Sequence, residues 1–192
     1  MSYFKEINIQ GYRSSDQTYQ PIRLDKATNT LQTMEYEHRE IHAGSHFYLQ
    51  GYLEFGAAST VDLAIITPDT TKWAHMTFSF ETTGETLFQI YEVSDFDGDG
   101  GVVTPLNNNR NSTNASVLTI TTDPTVNSYG NLIGASLVGV ATNPTKSSGG
   151  LVARNNELIL KQNTKYIFKF TSNSANNNIS YAAEWYEHTD IA

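Results

Sequence analysis

The sequence predicts an all-β protein, a jelly-roll-like β-sandwich with an extended N-terminal arm. Three observations carry this reading. Apolar residues recur with period two, the breaks between those runs have turn chemistry, and no stretch holds a helical apolar stripe for three turns. About eight strands at a spacing of roughly ten residues make two packed sheets, a sandwich or jelly roll.

Residues 1–40 stand apart as an N-terminal arm or edge segment, and residues 41–192 form the sandwich domain. The first segment carries Tyr3, Phe4, Tyr12, Tyr19 and Tyr36 among polar residues, with Pro21 in a mostly polar run. An extended arm is the simplest form for it; a pair of edge strands is the other.

Strands are then expected at 46–55, 60–67, 73–81, 87–93, 116–121, 157–160, 165–171 and 179–187. In the third, Met76, Phe78 and Phe80 point one way and His75, Thr77, Ser79 and Glu81 the other. In the seventh, Tyr166, Phe168 and Phe170 oppose Lys165 and Lys169. In the last, Ile179, Tyr181, Ala183 and Trp185 oppose Ser180, Glu184 and Tyr186. Gly56, Pro68-Asp69, Thr83-Gly84, Gly98 to Gly101, Ser148-Gly149-Gly150 and Gln162-Asn163 supply the turns. Residues 104–156 are looser, with Asn107 to Asn109, Asp123-Pro124 and Asn143-Pro144, and read as one or two strands with long surface loops.

The chain has 192 residues, enough for one domain, or one domain and an arm. Net charge is −8. That balance argues against general nucleic-acid binding and against docking on an anionic membrane, both of which use Lys and Arg. There is no Cys, so disulfides, thiolate metal sites and Cys nucleophiles are excluded. The first residues hold no apolar stretch of signal-peptide length, and the longest apolar runs, such as Leu63-Ala64-Ile65-Ile66, are too short to span a bilayer. A cytosol-like compartment is the expectation.

Asp95, Asp97 and Asp99 with Gly100 match the first half of a calcium loop. The second half fails, because Leu106 stands where a bidentate Glu belongs. An acidic hairpin turn is the plainer reading, so no cofactor is expected and Ca2+ is the weak alternative. His38, His42 and His46 are spaced by four. On a helix they would form one metal face, but Gly44 and the surrounding residues favour a strand, where neighbours lie about 13 Å apart and cannot chelate one ion. No nucleophile elbow or phosphate loop occurs. Glu81, Glu92, Glu184 and Glu187 are the carboxylates for a glycosidase pair; each is expected on a solvated face. No catalytic residue is assigned, and the protein is expected not to be an enzyme. Tyr48, Tyr52, Tyr91, Tyr129 and Tyr186 are open to either interface or sugar-stacking roles.

The stretches Ile41-His42-Ala43-Gly44-Ser45-His46-Phe47-Tyr48, Ile66-Thr67-Pro68-Asp69-Thr70-Thr71-Lys72-Trp73-Ala74-His75-Met76, Asn107-Asn108-Asn109-Arg110-Asn111-Ser112, Leu160-Lys161-Gln162-Asn163-Thr164-Lys165-Tyr166 and Glu184-Trp185-Tyr186-Glu187-His188 resemble a family of small capsid-associated virion proteins of tailed bacteriophages. The similarity runs from about residue 35 onward. It implies a jelly-roll-like domain that decorates or cements the capsid exterior as a homotrimer, is made in the host cytoplasm, binds the major capsid protein and carries no catalytic residues. Tyr3, Phe4, Tyr12 and Tyr19 are then the candidate capsid or subunit contacts. A receptor- or glycan-binding head-fibre or tail-associated module is the alternative.

Overall fold

The computed structural model describes residues 10–13, 18–21, 35–140, 148–151 and 157–189. The chain divides into two compact units, Met1–His38 and Arg39–Ala192. In the first, strands β1 (Gln10–Arg13) and β2 (Thr18–Pro21) pair antiparallel, with Tyr12 opposite Tyr19. Pro21 ends its strand, where a missing N–H is tolerated.

Helix α1 (Tyr36–Ala43) comes next. It corrects the strand reading of the histidine spacing. Gly44 does not prevent the helix; it ends it. At φ +72° its N–H donates to the Ile41 carbonyl (3.0 Å), and the Ser45 N–H donates to the Glu40 carbonyl (3.0 Å). These are the paired bonds of a Schellman cap. His38 and His42 therefore lie in a helix, and His46 opens the first long strand.

The second unit contains β3 (His46–Phe55), β4 (Ser59–Thr67), β5 (Lys72–Thr82), β6 (Thr86–Glu92), β7 (Asp95–Phe96), β8 (Gly101–Val103), β9 (Leu106–Asn107), β10 (Thr119–Thr122), β11 (Val126–Ser128), β12 (Asn131–Val138), β13 (Ser148–Leu151), β14 (Leu158–Ile159), β15 (Thr164–Ser172) and β16 (Asn177–Thr189). Sheet I has the order β13–β5–β16–β3–β9, with β14 also pairing β5. Sheet II has the order β12–β6–β15–β4–β10–β8, and β7 with β11 forms a separate ribbon.

Strand order defines the topology. Successive strands β3, β4, β5 and β6 alternate between the sheets. The last two, β15 and β16, insert between β4 and β6 and between β3 and β5. Strands β12 and β13 then flank β6 and β5. This nesting of two Greek keys is a jelly roll. Residues 93–130 are an insertion between β6 and β12, supplying β7 to β11.

The core lies between the sheets. Sheet I contributes Phe47, Leu49, Met76, Phe78, Phe80, Ile179, Tyr181, Ala183 and Trp185; sheet II contributes Leu63, Ile65, Phe88, Ile90, Ile120, Tyr166, Phe168 and Phe170. These are the inward phases of alternating strands, as the period-two pattern requires. A second cluster lies on the outer face of sheet II, where Phe96, Val126 and Tyr129 cover Ala64, Ile66, Tyr91 and Ile167. Two-faced burial explains the unbroken run Leu63-Ala64-Ile65-Ile66.

Residues 104–140 and 148–151 hold more strand than expected: β9, β10, β11, β12 and β13. Most are two to four residues long. The eight-residue β12 is exposed along most of its length and does not alternate. Apart from β10, which matches the strand expected at 116–121, none offers the periodic signal on which strand prediction rests. One glycine is set by packing: a Cβ on Gly51 would lie 2.5 Å from the Tyr181 hydroxyl, because the ring of the register-paired Tyr181 covers it. Among the described residues no helix is long and apolar enough to cross a membrane.

Candidate functional site on the outer face of sheet I

The outward phases of three adjacent strands place His46 (β3), Tyr186 (β16) and His75 (β5) in one register row. His188, two residues beyond Tyr186, shares its face. The rings are in contact: His75 and Tyr186 stack at 4.7 Å, and Tyr186 and His188 at 5.5 Å. Glu157, just before β14, closes the row. Its Oε1 lies 2.7 Å from His75 Nδ1 and accepts a bond from the Tyr186 hydroxyl at 2.8 Å. At the other end His46 is buried, with Nδ1 2.8 Å from Asn108 Nδ2. Burial pushes the His46 imidazole below its ordinary range, against the opposing charges of Glu184 and Glu40.

Three of the five histidines thus share one face of sheet I, and they are not the three whose spacing stands out in the sequence. His38 and His42 lie in α1. The relevant signal is outward parity: that of His75 is legible in its own strand, whereas His188 lies one residue past the expected strand 179–187 and is reached because β16 runs on to Thr189. Their adjacency was not legible, since they are 113 residues apart.

The Asp95 to Asp99 segment is strand and turn. Asp99 accepts from the Thr125 N–H (2.7 Å) and hydroxyl (2.6 Å), which holds its carboxyl below the usual range. Asp97 Oδ1 accepts from Asn127 Nδ2 at 3.3 Å, and Asp95 lies 3.6 Å from Lys165 Nζ. The three carboxylates are each engaged by a different neighbour: Thr125, Asn127 and, from β15, Lys165. Among the described residues no three His, Cys, Asp or Glu gather as a metal-binding group.

The carboxylates considered for glycoside cleavage do not pair. Glu81 and Glu184 are exposed. Glu92 bonds Lys161 Nζ (2.6 Å) and the Tyr166 hydroxyl (3.1 Å). Burial pushes that phenol up to about 12. Glu187 corrects its expected place on a solvated face: it is 2% exposed, in the inward phase with Ile179 to Trp185. The tyrosines divide. Tyr52 is 72% exposed, Tyr91 and Tyr129 pack in the second cluster, Tyr48 is half-buried and Tyr186 lies in the histidine row. Of the arm contacts, Tyr12 and Tyr19 are register partners, and Tyr3 and Phe4 lie outside the described residues.

Asp62 is the other unusual acid. It is buried on the outer face of sheet II, its Oδ2 accepting the Tyr129 hydroxyl at 2.9 Å. Its Oδ1 has no hydrogen bond among the described residues. Burial pushes its carboxyl up, against the Tyr129 bond and the charge of Lys169, with Asp123 adding to the rise. A carboxyl raised in the folded state binds more protons folded than unfolded. Its stabilising effect is therefore full below the unfolded pKa and is lost as pH rises through the folded one. Asp62→Asn is expected to remove this dependence. Urea unfolding of both proteins between about pH 3 and pH 7 should show the wild type losing stability, relative to the variant, as pH rises. Parallel curves would exclude the effect.

An open pocket of about 320 Å³ is lined by Ile66, Val93, Ser94, Asn163, Thr164 and Lys165. Val93 sits there at φ +59°, a strained angle for a β-branched residue. Lys165 Nζ donates to the Phe96 carbonyl at 2.7 Å, so the pocket's cation is held at its wall. Comparison with known proteins adds no relative: no family model, no curated protein and no solved structure matches the chain.

Proposed function

We propose that the protein is a non-catalytic decoration or cement module of a tailed-bacteriophage virion. In this reading it is made in the host cytoplasm and binds the capsid exterior. It contacts the major capsid protein across subunit junctions and associates with itself as a homotrimer. Nucleic acid and membrane are not partners. A trimer engages three symmetry-related sites at once, so weak contacts multiply.

The observation that supports this reading best is strand β12. It is the edge of sheet II, and Leu132, Ile133, Leu137 and the following Val140 are 53%, 45%, 61% and 49% exposed. No charged residue or proline occurs from 131 to 140. Edges of sheets that stay solitary are blunted by Lys, Pro or covering loops. An apolar, uncharged edge suits a module that assembles. Jelly rolls serve as viral capsid domains and also as lectins, so the fold accommodates both this reading and its rival. Attachment through the N-terminal segment, with Tyr3, Phe4, Tyr12 and Tyr19 as anchors, belongs to the same proposal.

Cosedimentation with matching capsids that lack the protein tests it. Saturable binding at a fixed stoichiometry in multiples of three is expected. Tyr12→Ala/Tyr19→Ala is expected to weaken binding, and Leu132→Lys/Leu137→Lys to dissociate the trimer in sedimentation velocity. Absence of capsid binding would overturn the proposal. It would turn attention to a receptor- or glycan-binding role for the 93–130 insertion, whose Val102 is 80% exposed.

A further inference from the structure

Sheet II ends in two unlike edges. Among the described residues β12 pairs with β6 alone, and β8 with β10 alone. Neither edge is charged: residues 131–140 and 101–106 contain no Asp, Glu, Lys or Arg. The net charge of −8 makes copies of this chain repel one another, so a charge-free edge is where two copies approach at least cost.

Both edges are apolar on the same face. Val102 pairs with Thr121, in the phase opposite to Val103 and Ile120, which pack in the core, and it is 80% exposed. Leu132, Ala135 and Leu137 pair with Tyr91, Gln89 and Leu87, in the phase opposite to the core residues Ile90 and Phe88. Beside β8 lies an open groove of about 250 Å³, whose lining includes Val102, Val103, Pro105, Leu118 and Ile120 and no charged residue. An apolar cavity of about 150 Å³ takes a benzene molecule, so this groove has room for a branched aliphatic side chain. Strand direction fits as well. The strands of sheet II are antiparallel throughout and six in number, so the two edge strands run opposite ways. Rotation about an axis along the strands keeps every strand's direction. β8 of one copy then meets β12 of the next antiparallel, and the ladder continues across the junction.

We infer that β12 of one copy pairs antiparallel with β8 of the next, its apolar side chains covering Val102 and the groove beside it, and that three copies close head to tail through this contact. The inference rests on the self-association proposed above and supplies its contact. A closed ring of three needs two different surfaces on each copy, because a surface that meets itself joins copies in twos. The unlike edges of one sheet are such a pair of surfaces. Cross-strand apolar pairs on the outer face stabilise the junction, and main-chain hydrogen bonds set its register.

The chain has no Cys, so introduced cysteines report the contact without background. In the full-length protein Val102→Cys is combined in turn with Leu132→Cys, Ala135→Cys and Leu137→Cys, the outward positions of β12. At least one double variant is expected to oxidise to a covalent species of three chains, and no single variant to cross-link. Val102→Lys is expected to raise the concentration at which the trimer dissociates, in sedimentation velocity, by about tenfold or more. Tyr52→Lys, at a position 72% exposed on β3 of sheet I, should leave that concentration unchanged. Circular dichroism shows that each variant is folded. A trimer that persists in Val102→Lys, or that cross-links in none of the double variants, overturns this contact and leaves the self-association standing. Self-cross-linking of Ala135→Cys or Leu137→Cys alone overturns it in favour of a twofold pairing of β12 with its own copy. A chain that stays monomeric at every concentration overturns both the contact and the self-association.

Discussion

Phe78→Ala is expected to lower the unfolding free energy by about 3–5 kcal/mol. Phe78 is 2% exposed and sits where the two sheets meet. It stacks on Phe88 of β6 at 4.9 Å and meets Phe168 of β15 edge-on at 5.1 Å. Phe170 and Tyr181 complete the surround at 5.9 and 6.3 Å. Removing the ring loses its transfer energy and leaves a cavity among side chains that are themselves rings, which cannot easily collapse into it. Against a typical domain stability of about 5–15 kcal/mol, the loss is large. Guanidinium unfolding checks it, with Phe78→Leu as the milder substitution. A loss below about 1 kcal/mol for Phe78→Ala would contradict the packing described.

Glu187→Ala is expected to cost about 3 kcal/mol or more. The carboxylate is buried at the end of the core face of β16 and gathers three donors. Trp185 Nε1 lies 3.0 Å away, the Ser116 hydroxyl 2.5 Å, and the Val117 N–H 3.1 Å from both oxygens. Truncation leaves two N–H groups and a hydroxyl without acceptors, each worth about 1–3 kcal/mol when buried. It also removes the tie between Ser116-Val117 and β16. Thermal unfolding measures the cost, and Trp185 fluorescence reports the changed surroundings of the indole. Glu187→Gln keeps an acceptor and is expected to fall between wild type and Glu187→Ala. An unchanged melting temperature in Glu187→Ala would show that these bonds stabilise little.

The strands of the core were legible because burial on one face imposes a two-residue period that local residues must obey. β5, β15 and β16 announce themselves through Met76-Phe78-Phe80, Tyr166-Phe168-Phe170 and Ile179-Tyr181-Ala183-Trp185. The same rule places Glu187 inward, one step past Trp185. The assumption that a glutamate must be solvated overrode the parity, although a carboxylate with enough donors is tolerated inside. Helix α1 is not legible in the sequence because eight residues are too few to show an apolar stripe and because Gly44, which suggests a break, serves as its cap. Of the short strands of the 93–130 insertion, β10 is matched by the strand expected at 116–121, and β7, β8, β9 and β11 are too short to carry a readable period.

The sequence by itself determined an all-β chain, the inward aromatic faces of β5, β15 and β16, and the outward parity of His75 and Tyr186. These are local properties, set by the alternation of side chains along an extended backbone. Only the tertiary structure decided which strands are neighbours. It placed β16 between β3 and β5, and so brought histidines 113 residues apart to 2.9 Å. It also laid the insertion over the outer face of sheet II, burying Asp62 and Ala64 from a side that the alternating pattern assigns to solvent. Strand pairing is a long-range choice made by the whole core and its loop connections, and no single segment encodes it.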